Sequence, residues 1–301
     1  MIGGTDRDLV SCPVCGGDHF SDLFVRDANS FVRCRTCGLI LINPQPTLAE
    51  VDALYGKDYY EPWGLDEEYV SVSGMKAATF DLKLRCVEKY RTKGRLLDVG
   101  CAAGFSLEAA VKRGWDAYGV ELSGYSASLA QERFGKERVF SGTLDQAGFE
   151  RDFFDAVFMV DVIEHVKDLD GFMANVWRIL KKQGIAAIVT PDAGSFSYKL
   201  MGRSWPHIKG EHLYYFSAST LQKLLEKHGF RLLSVLPSLK VLTVGYAQRH
   251  FLTYRVPFLS VVVKATELLT PAKLGKWKCT VRTGELFAIA QKITAPLKQN
   301  E

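Results

Sequence analysis

The chain has 301 residues, 47% of them hydrophobic and 24% charged, with a formal net charge of +4. This composition excludes a low-complexity chain and is ordinary for a globular enzyme of one or two domains with a sizeable core. No run of 18 or more uncharged apolar residues occurs, so no membrane span is predicted. The stretch Met1 to Arg7 lacks the apolar segment that a signal peptide needs. Of seven cysteines, four stand in paired C-x-x-C spacing, which suits a reducing compartment, and the cytoplasm is the expected location. Charge is unevenly spread: residues 240–301 hold ten Lys/Arg against three Glu, a bias that points either to an anionic partner or to a solvated basic surface.

The first 44 residues read as short strands and turns around two C-x-x-C-Gly knuckles, Cys12–Cys15 and Cys34–Cys37, with 18 residues between them. Two thiolates three positions apart grip one side of a tetrahedral ion, and the glycine that follows permits the tight turn. The paired spacing predicts a zinc ribbon with Cys12, Cys15, Cys34 and Cys37 as ligands. Four protein ligands close the site, so its role is expected to be structural. Cys86, Cys101 and Cys279 remain as small apolar side chains.

From Pro44 to Lys93 the chain is mixed, with aromatic residues at Tyr55, Tyr59, Tyr60, Trp63 and Tyr69. It ends in a helical pattern over Phe80, Leu82, Leu84, Val87 and Tyr90 that stops at Lys93-Gly94. Strand and helix then alternate: a strand over Leu96–Val99, a helix over Ser106–Arg113, a strand over Trp115–Val120 and a helix over Ser123–Phe134. A strand over Phe154–Val160, a helix over Leu169–Leu180 and a strand over Ile185–Val189 follow. Ser217 or Ser219 can cap a helix over 220–228 that Gly229 ends, and Glu285–Gln291 reads as a late strand. Such alternation implies an α/β fold, a mostly parallel sheet covered on both faces. The expected division is a ribbon over 1–44, a helical linker or lid over 45–93 and a main domain over 94–301.

Leu96-Leu97-Asp98-Val99-Gly100-Cys101-Ala102-Ala103-Gly104 is a strand entering a glycine loop and then a helix. A dinucleotide fingerprint would place glycine at 100, 102 and 105, but Ala102 and Phe105 stand there. The loop instead resembles motif I (D-x-G-x-G-x-G) of class I S-adenosylmethionine-dependent methyltransferases, with Ala102 in place of the middle glycine. Glu121 at the next strand end, Gly142-Thr143-Leu144 after the third, and Phe154-Asp155 with Glu164-His165-Val166 around the fourth match the same family in order, over about residues 93–235. The resemblance implies a doubly wound seven-stranded Rossmann-like fold binding S-adenosylmethionine. Its contacts would be Asp98, Gly100, Cys101, Ala102 and Gly104 of the loop, Glu121 and Leu122, Thr143 and Leu144, and Asp161. Glu121 would accept hydrogen bonds from both ribose hydroxyls, as acidic residues do in nucleotide folds.

Methyl transfer to a hydroxyl or a carbon acid needs a base. Nucleobase amino-methylating enzymes carry Asn/Asp-Pro-Pro-aromatic after the fourth strand; Asp161-Val162-Ile163 stands here, which disfavours that class. Glu211-His212-Leu213-Tyr214-Tyr215-Phe216-Ser217 resembles the corresponding segment of zinc-ribbon sugar C-methyltransferases, which implies His212 as general base and Glu211 as its partner. Lys209 stands where that family often has tyrosine. Asp161, Glu164 and His165 are similar to a Glu-x-x-Glu-His group of ubiquinone-pathway O-methyltransferases and form a candidate divalent-metal group; Asp161 and Glu164, three apart, would share a helix face.

The expected acceptor is a small molecule, foremost a sugar linked to a nucleotide or lipid and methylated at oxygen or carbon. A quinone- or polyketide-type O-methyl acceptor is the alternative. An amphipathic insertion near 247–280 could pack on the core, dimerise, or touch a membrane through 251–271. Zinc ribbons also bind nucleic acid, but residues 9–44 hold three Arg, three Asp and no Lys, which disfavours that partner.

Overall fold

A computed structural model describes residues 7–47, 50, 69–246 and 277–293. The residues Tyr55, Tyr59, Tyr60 and Trp63, and the amphipathic stretch 251–271, lie outside the described residues.

The main sheet has seven strands: β4 (Arg95–Val99), β5 (Asp116–Glu121), β6 (Val139–Ser141), β7 (Phe154–Val160), β8 (Leu180–Pro191), β10 (Phe230–Thr243) and β11 (Lys278–Lys292). Their order across the sheet is β10-β11-β8-β7-β4-β5-β6. β4, β5, β6, β7 and β8 run parallel, while β11 is antiparallel to both β8 and β10. The doubly wound α/β architecture expected from the strand–helix alternation is therefore present.

The central strands are apolar almost throughout because both of their faces are covered. Side chains alternate between two cores. Leu97, Val99, Val157, Met159 and Ile188 join one core. It is completed by α4 (Leu169–Ile179), through Met173, Val176 and Ile179, and by α6 (Ala218–Lys227), through Leu221, Leu224 and Leu225. Leu96, Ala156, Phe158, Ile185 and Val189 face the other way, onto Leu84 and Val87 of α1 (Tyr69–Val87) and Leu107 and Ala110 of α2 (Phe105–Lys112).

Local chemistry sets the helix starts. Ser123 caps α3 (Gly124–Phe134), accepting from Ser126 N–H, and Asp168 caps α4, accepting from Gly171 N–H. Ser217, rather than Ser219, caps α6 in a capping box with Thr220.

Two strands extend past their predicted starts. β8 begins at Leu180 rather than Ile185, and β11 at Lys278 rather than Glu285. The early part of β11 pairs only with β10 and alternates exposed with half-buried residues, so it lacks the apolar run that marks a covered strand.

The N-terminal module is a second sheet, in the order β1 (Phe20–Arg26), β2 (Asn29–Cys34), β3 (Ile40–Ile42) and β9 (Tyr214–Tyr215). Its last strand comes from the far side of the sequence: Ile40 pairs with Tyr215, Leu41 with Tyr214, and Ile42 N–H donates to the Leu213 carbonyl at 3.0 Å. Cys12, Val14, Leu39 and Leu41 share the core of the main sheet, so the knuckles and the parallel strands bury each other.

Candidate active site

At the end of β4 the chain turns through Gly100, Ala102 and Gly104, with φ of 79°, 46° and 81°. The N–H groups of Gly100 and Cys101 both donate to the Val120 carbonyl, at 2.8 and 3.1 Å, which ties the loop to the end of β5. A β-carbon on Gly104 would lie 2.6 Å from the Phe134 ring. Gly104 thus supplies both the left-handed turn and the close approach of α2 to α3. Ala102 adopts left-handed geometry at a cost of about 1–2 kcal/mol and is held there by its N–H donating to Glu121 Oε2 at 2.8 Å. A Gly104→Ala change is expected to cost roughly 1–3 kcal/mol, seen as a lower urea midpoint at unchanged slope.

Glu121 ends β5 and is 6% exposed. Its Oε1 accepts from Ser123 N–H at 2.8 Å while Oε2 accepts from Ala102 N–H. Burial raises its pKa, and the N–H groups of Ser123, Ala102 and Leu122 oppose that rise. The carboxylate is thereby fixed between the glycine loop and the start of α3.

A cavity of about 1510 Å³ opens beside it, at the carboxyl ends of β4, β5 and β7. Strand order reverses there, because β5 and β6 lie on one side of β4 while β7 and β8 lie on the other. Open α/β sheets bind ligands at that point. Of the residues assigned to the cofactor by resemblance, Gly100, Cys101, Ala102, Glu121, Leu122, Thr143, Leu144 and Asp161 line this cavity. Asp98 and Gly104, assigned to the cofactor by the same resemblance, are not among the residues that line it. Asp98 is 1% exposed behind the loop, accepts from the Ser106 hydroxyl, and is pushed up to about 7 by burial. It braces the start of α2; Gly104 serves packing.

Opposite the loop lie Glu164 and His165, on a single 3₁₀ turn (Ile163–His165), and His212, just before β9. Glu164 is fully buried; Thr190 Oγ1 donates to its Oε2 at 3.0 Å, and its Oε1 has no partner. The Glu164 carbonyl accepts from Leu213 N–H at 2.7 Å, which brings the His212 segment against the turn. His165 Nδ1 lies 3.1 Å from the Glu211 carbonyl. A carbonyl only accepts, so Nδ1 is assigned the proton and Nε2 is left as an acceptor. The two imidazoles meet edge to face, with centroids 4.7 Å apart. One ligand atom from each of Glu164, His165 and His212 lies within 4.8 Å of the others.

Burial lowers the pKa of His165 to about 4 and that of His212 well below the usual imidazole value, with the neighbouring His165 and Lys209 adding to the second shift. Burial also raises the Glu164 carboxyl well above the ordinary carboxylate range, assisted by the charge of Asp161. Both imidazoles are therefore neutral at neutral pH, and burial makes each a weaker base than a solvated histidine.

Two expectations change here. Glu211 is not the partner of His212: the chain turns at this point, and the Glu211 carboxylate faces Lys209 Nζ at 3.6 Å, off the cavity wall. The buried carboxyl beside His212 is Glu164. The candidate metal group is likewise Glu164, His165 and His212, without Asp161. Asp161 sits at φ 55°, with Lys240 Nζ 3.9 Å away, and the turn begins only after Val162, so no helix face unites Asp161 with Glu164. The inward direction of His212 depends on β3 pairing with β9, for which the local sequence holds no signal.

The four ribbon cysteines form a separate group whose sulfurs lie within 4.8 Å of one another, with Cys12–Cys37 at 3.4 Å and Cys15–Cys34 at 3.5 Å. A tetrahedral ion with Zn–S of about 2.3 Å needs sulfurs about 3.8 Å apart, so the donor set fits. The knuckles are matched: Gly16 N–H donates to the Cys12 carbonyl and Gly38 N–H to the Cys34 carbonyl, with both glycines left-handed. Burial raises the Cys12 and Cys37 thiols, so these sulfurs ionise readily only against a cation.

A family model described as "Methyltransferase domain" matches residues 72–235. The ubiquinone biosynthesis O-methyltransferase of Pelagibacter ubique is 27% identical over 121 residues, covering 39% of this chain and 50% of the relative. That of Rhodopseudomonas palustris strain BisA53 is 28% identical over 116 residues, covering 37% and 46%. The chain thus spans about half the length of the curated relatives it matches. Among solved structures, a chain in the complex between the Haloferax volcanii Trm112 methyltransferase activator and a methyltransferase superposes with a TM-score of 0.51. It covers 81% of this chain and 98% of that one at 12% identity, a likeness of fold alone.

Proposed function

We propose, from the premise that this chain belongs to the methyltransferase-domain family matched over residues 72–235, that it transfers a methyl group from S-adenosylmethionine to a small-molecule acceptor. The carrying observation is the Glu121 carboxylate, fixed by Ala102 N–H and Ser123 N–H at the wall of the cavity beside the left-handed loop. That placement suits a carboxylate receiving two ribose hydroxyls, while Thr143 and Leu144 line the wall where an adenine would rest. When bound, the cofactor supplies an electrophilic methyl carbon on a sulfonium.

The chain's own residues contribute position and a proton acceptor. His212, neutral and buried on the cavity wall, would accept the proton that the acceptor's oxygen or carbon gives up as the methyl passes to it from the sulfonium, whose S–CH3 bond breaks to leave the thioether. His165, locked by the Glu211 carbonyl, fixes the ring of His212 edge-on. The resemblance around Glu211–Ser217 supports a sugar acceptor. The names of the curated relatives instead favour oxygen on a quinone-type ring. Either hydroxyl meets the same imidazole. In this reading the four ribbon cysteines hold a structural zinc.

Calorimetry with S-adenosylmethionine and with S-adenosylhomocysteine tests the cofactor assignment; no heat from either, on folded protein, refutes it. With turnover in hand, His212→Asn is expected to keep cofactor affinity within about twofold and to lower kcat by roughly 10²–10⁴. Undiminished turnover in that variant removes His212 from the mechanism.

A further inference from the structure

Methyl transfer as proposed gives no task to the polar groups that β10 and β11 bring to the cavity. Those groups, Lys240, Thr283 and Glu285, lie beyond the residues that the family model matches. The ladder between the two strands breaks here. Pro237 pairs with Leu286 and Leu239 with Arg282, so Thr283, Gly284 and Glu285 stand opposite Ser238 alone. Such bulges turn side chains out of their strand's alternation. Gly284 takes the left-handed turn at φ 80°, its carbonyl accepts from Asp192 N–H at 2.9 Å, and a β-carbon on it would lie 2.7 Å from Ser197 Oγ. The bulge is thus fixed to the end of β8, with Thr283 and Glu285 on the wall of the cavity that also holds His212.

Glu285 is 4% exposed, and its Oε1 accepts from Lys240 Nζ at 2.6 Å. Burial opposes its ionisation, but Lys240 outweighs that and holds the carboxyl below the ordinary carboxylate value. Among the described residues, neither Glu285 Oε2 nor Thr283 Oγ1 has a hydrogen-bond partner, although both atoms are buried. A buried charged oxygen left without a donor is costly, and packing alone gives no reason to keep it. The missing partner must donate to the carboxylate. A phosphate or carboxylate would set like charge against Glu285, and an ammonium would set like charge against Lys240. A neutral hydroxyl suits both, since it donates to one group and accepts from another.

We infer that the β11 bulge is a hydroxyl subsite for the acceptor: besides the atom that receives the methyl, the acceptor carries a second hydroxyl that donates to Glu285 Oε2 and accepts from Thr283 Oγ1. The inference deepens the methyltransferase reading and rests on it. Lys240 keeps Glu285 charged and in place, and the second hydroxyl fixes which part of the acceptor faces His212.

The test uses protein saturated with S-adenosylhomocysteine and titrated calorimetrically with two pairs of probes, UDP-glucose against UDP and catechol against phenol. In at least one pair the member with the additional hydroxyl groups is expected to bind about tenfold tighter or more. Glu285→Gln, which turns one acceptor oxygen into a donor, is expected to weaken that probe by about tenfold or more, and Thr283→Val by roughly twofold to tenfold. Thr283→Ser, which keeps the hydroxyl, retains the affinity. A preference for UDP-glucose alone would indicate a sugar ring, and one for catechol alone a dihydroxylated aromatic ring. Equal affinities within both pairs, binding of none of the probes, or affinities unchanged in both Glu285→Gln and Thr283→Val overturn the subsite. S-adenosylhomocysteine affinity, measured first on every variant, separates this outcome from failure of the methyltransferase reading.

Discussion

Glu121→Ala is expected to lower S-adenosylmethionine affinity by about two orders of magnitude. Hydrogen bonds to a charged acceptor contribute about 1.5–3 kcal/mol each. Loss of two ribose contacts removes at least about 3 kcal/mol, roughly 150-fold in Kd. A second effect has the same sign. The carboxylate also holds Ala102 N–H and Ser123 N–H, so its removal frees a left-handed alanine from the bond that keeps it in place. Glu121→Gln keeps one acceptor oxygen and should fall between, at roughly tenfold. Calorimetry decides, with circular dichroism confirming the fold. If Glu121→Ala binds as tightly as the parent, the ribose assignment is wrong.

Removal of the zinc proposed for the four ribbon cysteines is expected to have the second large effect, and to be felt beyond the ribbon. Cys34 is buried in the core shared with the parallel sheet, and β3 carries β9 and the backbone of Leu213 next to His212. Cys34→Ser, or chelation, is expected to cost at least about 3 kcal/mol, a fall in Tm of roughly 10 °C for a domain of this size. Amide exchange should speed up in residues 211–216 as well as at the knuckles, because the strand they pair with loses its anchor. Retained zinc in Cys34→Ser, or a Tm indifferent to chelation, would contradict a structural metal. Faster exchange confined to the knuckles would show that the ribbon and the His212 segment are independent.

The legible part of the fold follows from coverage. β4, β7 and the middle of β8 are hydrophobic on both faces, so their apolar runs stand out between turn residues, and the strand predicted over Phe154–Val160 is found with the same bounds. Ser123 and Ser217 announce their helices because an N-cap is a local hydrogen bond. The late strand was readable from Glu285 onward, where it joins β8, and unreadable over 278–284, where its only partner is β10.

The site divides along the same line. The glycine loop and Glu121 lie 22 residues apart or less and on adjacent strands, so one stretch of sequence carried them both. The carboxyl next to His212 was misread because adjacency in sequence was taken for adjacency in space. Glu211 precedes His212 yet turns to Lys209, while Glu164, 48 positions upstream, reaches His212 through the Glu164 carbonyl and Leu213 N–H. Sequence alone determined the central strands and the helices between them, the paired cysteine spacing and the loop that turns at Gly100, since each depends on the covering of a strand or on bonds within a few residues; β9 and β10 carried no such signal. Only the tertiary structure decided which charges and imidazoles face one another, because burial and the pairing of β3 with β9, more than 170 residues apart, set those contacts.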